Sequence, residues 1–126
     1  MTASHQAHQA YGLHQSHLRS ARAIELQIFG DITARMCHAQ NTGDFPRLAA
    51  ALHDNRRLWT QLAIDLADEG NALPQTLRAQ LFYLAEFTAQ HSPRVLAGEA
   101  DIAALIAINT AIMQGLGGQA PTQVAS

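Results

Sequence analysis

Apolar residues recur along this chain every three or four positions, in four stretches separated by short polar or glycine- and proline-containing breaks. That spacing places them on one face of an α-helix, whereas a half-buried strand would alternate every second residue. The first stretch predicts a helix from about Leu18 to His38, with Leu18, Ala21, Ile28, Phe29, Ile32 and Met36 in register. Asn41-Thr42-Gly43-Asp44 then reads as a breaker. Asp44 is a suitable N-cap and Pro46 suits a first turn, so a second helix is predicted to run to about Asp68. Its apolar face is Leu48, Leu52, Trp59, Leu62 and Leu66. Glu69-Gly70-Asn71 ends it, with Gly70 expected to supply a left-handed C-terminal residue.

Pro74 opens a third predicted helix to about Gln90, with Leu77, Leu81, Leu84 and Thr88 on one face. Ser92-Pro93 is expected to interrupt it, because proline lacks an N–H and biases the preceding residue away from helix. A short turn over Arg94–Ala97 is followed by a break at Gly98. The fourth helix is predicted over Glu99–Gly115, carrying Ile102, Leu105, Ile106, Ile112 and Met113. No strand-like alternation with turn signals occurs. The predicted fold is therefore all-α, a compact antiparallel bundle of about four helices. The His- and Gln-rich residues 1–17 and the Gly-Gly-containing 117–126 are expected to be flexible tails around a helical domain at 18–116.

Composition narrows the class. The 126 residues suit one domain; 48% are apolar and 14% charged, the balance of a folded protein with a thinly charged surface. A formal net charge of -2 lacks the basic excess of nucleic-acid binders. Cys37 is the single cysteine and reads as a small buried thiol. No apolar run reaches the ~18 residues of a membrane span, and the N-terminus lacks the apolar middle of a signal peptide. The expected location is the cytoplasm.

Polar residues interrupt three of the apolar arcs. Glu25 falls between Leu18, Phe29 and Ile32; Asn55 between Leu52, Trp59 and Leu62; Asn109 between Leu105, Ile106 and Met113. Thr88 and His91 continue the stripe of the third helix. If the four arcs share a core, these groups meet. Glu25 then needs a donor, for which Arg22 and Arg56 are the nearest candidates. The favoured reading is a satisfied polar network that fixes helix register. The alternatives are a polar patch lining a partner groove and, well behind, a catalytic Glu–His pair. His5, His8, His14 and His17 come as two pairs, but a Gln-rich tail does not hold four ligands in fixed geometry, so no metal site is assigned. There is no nucleotide-binding glycine fingerprint, nucleophile elbow or HExxH; neither an enzymatic activity nor a cofactor is expected.

Leu81, Phe82, Tyr83, Leu84 and Phe87 make the third helix apolar on nearly all sides. Such a helix is either encircled by its neighbours or offers an aromatic surface to a partner. Phe82, Tyr83, Phe87 and the neighbouring Arg78 are the candidate partner-binding residues. The pair Arg56-Arg57 is a weak nucleic-acid signal beside Asp54, Asp65 and Asp68.

Asn55-Arg56-Arg57-Leu58-Trp59 is similar to an NRRxW signature, and Gly70-Asn71-Ala72-Leu73-Pro74 to a GNxLP step that follows it. Ile108-Asn109 with Ile112-Met113-Gln114-Gly115-Leu116 forms a closing element, and Tyr11, Arg22, Glu25 and Phe29 an opening one. In these elements, their order and their spacing, the chain resembles the FlaF family of flagellar biosynthesis regulators. The similarity runs over about residues 9–116. It departs at Ala21-Arg22, where many relatives have Pro-Arg, and in the His/Gln-rich tail. The resemblance implies flagellin as partner, and a role as a secretion chaperone that masks flagellin's amphipathic terminal helices and couples flagellin synthesis to export. It also implies action together with FlbT. A post-transcriptional effect on flagellin mRNA is the alternative, with direct RNA contact disfavoured by the acidic balance. Weak self-association is a further use open to the third-helix aromatics.

Overall fold

A computed structural model describes residues 26–116, and all its regular structure there is helical. Helix α1 is described over 26–42, α2 spans Phe45–Ala67, α3 Gln75–Leu96 and α4 Ala103–Leu116. The expected tails, together with Arg22 and Glu25, lie outside the described residues.

The chain reverses direction at each connection. Across α1 and α2, Phe29 meets Trp59 and Arg35 meets Asp54, so one residue number falls as the other rises. Gly30 and Thr33 of α1 likewise face Met113 and Asn109 of α4. Both pairs are antiparallel. Ile32 and Met36 of α1, Ala51 and Leu52 of α2, Val95 of α3, Ile102 just before α4 and Leu105 in its first turn form one apolar cluster. This end of the bundle draws on all four helices. The Arg35–Asp54 pair, 2.9 Å and substantially exposed, adds little to stability.

Local chemistry explains the boundaries, including those that differ from expectation. α1 continues through Asn41 and Thr42 and stops only at Gly43. The Thr42 hydroxyl donates back to the His38 carbonyl at 2.9 Å, which suits a last turn. Gly43 has φ +67°, and the Asp44 amide reaches back to the Ala39 carbonyl. Asp44 then caps α2, its side chain accepting from the Arg47 amide, so one residue closes one helix and opens the next.

The end of α2 corrects the reading of Gly70, which does not have a positive φ. Side chains make this turn instead. Asn71 Nδ2 donates to the Asp65 carbonyl at 3.1 Å, and Asn71 Oδ1 accepts from the Leu73 amide at 3.0 Å. Asp68 Oδ1 accepts from the Gly70 amide. Pro74 is the N-cap of α3 rather than its first helical residue.

The expected interruption at Ser92-Pro93 is absent, and α3 runs on to Leu96. Proline leaves the Ala89 carbonyl without its helical donor, but Ala89 and Pro93 both face solvent, so that carbonyl is accessible to water. On the opposite side Ser92 is buried, its hydroxyl donating to the Thr88 carbonyl, and Val95 joins the core. Burial along one face carries the helix past its proline. α3 then closes on Gly98 at φ +76°, with the Glu99 amide bonded to the Arg94 carbonyl and the Gly98 amide to Val95.

The fourth helix begins four residues later than expected. Residues 99–102 form the connection, and Asp101 Oδ1 accepts from the Ala103 amide at 2.8 Å.

Gly43→Ala and Gly98→Ala should each destabilise the fold by about 1 kcal/mol, because a side chain there must adopt left-handed backbone. A Cβ at either glycine meets nothing within 4 Å, so the backbone term stands alone. Urea titration of each variant measures it; stability equal to wild type would show that these helix ends relax.

Candidate functional site

Two regions gather the residues that the sequence singles out. The first is a buried polar layer between α1, α2 and α4. Asn55 and Asn109 are both fully buried, and Asn109 Nδ2 donates to Asn55 Oδ1 at 2.8 Å. Trp59, one turn on from Asn55, donates its Nε1–H to Asn109 Oδ1 at 2.9 Å. Asn109 Nδ2 also donates to Thr33 Oγ1 at 3.1 Å, and that hydroxyl donates to the Phe29 carbonyl at 2.6 Å. The Trp59 ring stands edge-on to Phe29, with centroids 5.7 Å apart and planes at 87°.

The tryptophan sets the polarity of this layer. Indole nitrogen can only donate, so Asn109 must present its oxygen to Trp59 and its amide to Asn55. Asn55 must then present its oxygen, and its Nδ2 is left buried without a partner. Thr88 Oγ1 on α3 is also buried and without a partner. Counting outwards from the α2–α3 turn, Thr88 lies level with Asn55.

His91 does not belong to this layer. Its Nε2 lies 2.8 Å from the Asp101 carbonyl, and its ring stacks on Phe87 at 4.9 Å. It therefore ties α3 to the loop before α4. The Glu25–His91 pairing has no support in this placement: His91 is committed to that loop, and Glu25 lies outside the described residues. Thr33 is the member that sequence reading missed. A threonine on an apolar arc was its signal, and it resembles a helix residue satisfied by its own backbone.

The second region is the outer surface of the α2–α3 hairpin. Tyr83 is 66% exposed and Phe82 38%, so α3 is not encircled by its neighbours. Ile64 of α2, 59% exposed, also points away from the core and was missed. It falls nearly opposite the Leu52–Trp59–Leu66 face, and an apolar residue off the stripe was the available signal. Leu77 is 37% exposed on the same half of the hairpin. Arg56 and Arg57 are exposed, so the Asn55–Trp59 motif divides: Asn55 and Trp59 hold the core while the arginines face solvent.

Two of the candidate partner-binding residues, Phe87 and Arg78, are only partly exposed. Phe87 packs against the apolar cluster and under His91, so its ring is largely taken. Arg78 is half-buried, with Nε enclosed and without a hydrogen-bond partner. Asn71 and Pro74 build the α2–α3 turn, and Gly115 is half-buried in the last turn of α4. Among the described residues no three His, Cys, Asp or Glu side chains converge as metal ligands would. The paired tail histidines lie outside these residues. No described helix is long and apolar enough to cross a membrane.

Compared with known families, the chain matches the model described as flagellar protein FlaF over residues 7–116. No curated protein and no solved structure gives a significant match.

Proposed function

This chain belongs to the FlaF family of flagellar proteins, and from that premise we propose that it binds flagellin as a cytoplasmic secretion chaperone. The observation that carries this reading is the exposure of large apolar residues on the α2–α3 hairpin, Phe82 and Tyr83 above all, with Ile64 and Leu77 also exposed. Flagellin's terminal segments are amphipathic helices that polymerise. A helix of that kind lays its apolar stripe against such a surface through anchors spaced by three and four residues. Occupying that stripe before export prevents premature assembly, and the bound fraction reports the supply of flagellin. Coupling of synthesis to export, in concert with FlbT, follows from that report. The protein acts by binding and not by catalysis.

An aromatic anchor in a groove contributes at least ~2 kcal/mol, so Phe82→Ala should weaken flagellin binding about thirtyfold. Its fold should survive, because the ring is partly exposed already. Calorimetric titration with flagellin, alongside the melting temperature of the variant, measures both. Lost stability with unchanged affinity would move the contact elsewhere. Wild-type protein that binds flagellin mRNA or FlbT, and no flagellin, would replace the chaperone reading with the post-transcriptional one.

A further inference from the structure

A cleft lies at the end of the bundle where the α1–α2 turn meets the loop between α3 and α4. Phe45 lines it from the turn and Asp101 from the loop. Between them lie Leu48, Val95 and Ile102, which belong to the apolar cluster or pack on it. The cleft volume is about 270 Å³. Small-molecule pockets run to roughly 300–1,000 Å³, so this one suits a single side chain better than a whole ligand.

Phe45 is 55% exposed, although nothing in the start of α2 requires an aromatic ring there. Asp44 caps the helix through its side chain, and Pro46 fixes the next φ. The ring is therefore carried on stiff backbone beside an apolar floor. The opposite wall is equally fixed. The Asp101 carbonyl takes the His91 ring, and Asp101 Oδ1 accepts from the Ala103 amide. Walls already held in place leave little ordering to be done on binding.

The charge lining this cleft has one sign. Among the described residues its lining holds Asp44 and Asp101 and no lysine, arginine or histidine. Asp44 is paired with Arg47, which lines a separate groove with Arg35 and His38. Asp101 has no ion pair among the described residues, and Glu99 is exposed in the same loop. Arg94 is exposed but does not line the cleft. An apolar floor with an unpaired carboxylate at its edge complements an apolar group next to a cation.

We propose that this cleft docks a protein segment that carries a large apolar side chain beside a lysine or arginine. The apolar group packs on Phe45 over Leu48 and Val95, and the cation pairs with Asp101. The site is separate from Phe82 and Tyr83. Val95 is twelve residues beyond Tyr83 along α3, roughly 18 Å at 1.5 Å per residue. It stands whether or not flagellin is the partner.

The test is selection from a displayed library of random short peptides, panned in parallel on the full-length wild type and on Phe45→Ala. Peptides enriched on the wild type alone should share an apolar residue next to lysine or arginine. By fluorescence polarisation their affinity should fall at least about tenfold in Phe45→Ala, the loss of an aromatic anchor. Asp101→Asn keeps the oxygen that caps Ala103, and should weaken them about two- to fivefold at low salt and less at high salt. Phe82→Ala should leave them unchanged, and both cleft variants should melt near the wild-type temperature. Failure to enrich any peptide specific to the wild type would overturn the proposal. So would specific peptides that lack a cation or are indifferent to Asp101→Asn at low salt. Dimerisation of the wild type that is lost in Phe45→Ala would assign the cleft to a second copy instead.

Discussion

Trp59→Ala should remove about 3–5 kcal/mol of stability, the cost of emptying a large buried aromatic site. Trp59 is 1% exposed, packs edge-on against Phe29 and donates to Asn109, so the substitution opens a cavity and strips a buried oxygen of its donor. Against a total of roughly 5–15 kcal/mol, that loss is a large fraction of what holds the fold. The melting temperature should fall by on the order of 10–20 °C. Trp59→Phe separates the two effects: the ring remains while Asn109 Oδ1 loses its donor, at a cost of about 1–3 kcal/mol. The chain contains one tryptophan, so urea titration followed by its fluorescence reports on the wild type, and circular dichroism follows both variants. A melting temperature unchanged in Trp59→Ala would place the ring outside the core and make it a partner anchor.

Asn109→Leu should cost about 2–4 kcal/mol, because it leaves the Trp59 N–H and Asn55 Oδ1 buried with no partner. Size is nearly conserved, so the loss reports on polar groups and not on volume. Asn55→Leu should be milder, since Asn55 Nδ2 already lacks a partner and only the bond to Asn109 is lost. Combined, the two substitutions should fall short of the sum of their separate costs by about 0.5–3 kcal/mol, the coupling expected of residues that share a hydrogen bond. A double-mutant cycle by chemical denaturation measures the difference. A sum with no coupling would mean the two asparagines do not act on one another.

The same layer bears on the exposed surface of the hairpin. Asn55 and Trp59 sit on one side of α2 while Arg57 and Ile64 sit on the other. The polar layer thereby fixes how α2 is rotated in the bundle, and so which residues the hairpin turns outward. In the proposed flagellin-binding role, a substitution at Asn109 should act only through that rotation.

Local patterning alone makes the chain helical and roughly locates each helix. Periodicity and capping are local: the Leu52–Asn55–Trp59 face, Asp44 as N-cap and the breaks at Gly43 and Gly98 follow from neighbours a few residues away. It also placed Asn55 and Asn109 on inward faces, so their meeting was legible as a consequence of one shared core. What depends on partners distant in the chain emerges only on packing. α3 continues through Pro93 because buried Ser92 and Val95 hold its far side, a gain that no local propensity contains. His91 left the polar stripe for the Asp101 carbonyl because the loop before α4 folds back against it. Phe87 and Phe82 look alike on paper, yet one packs on the core and the other is partly exposed. Which side of an all-round apolar helix faces solvent is set by how many neighbours the chain can supply, and that number is fixed only when the helices pack.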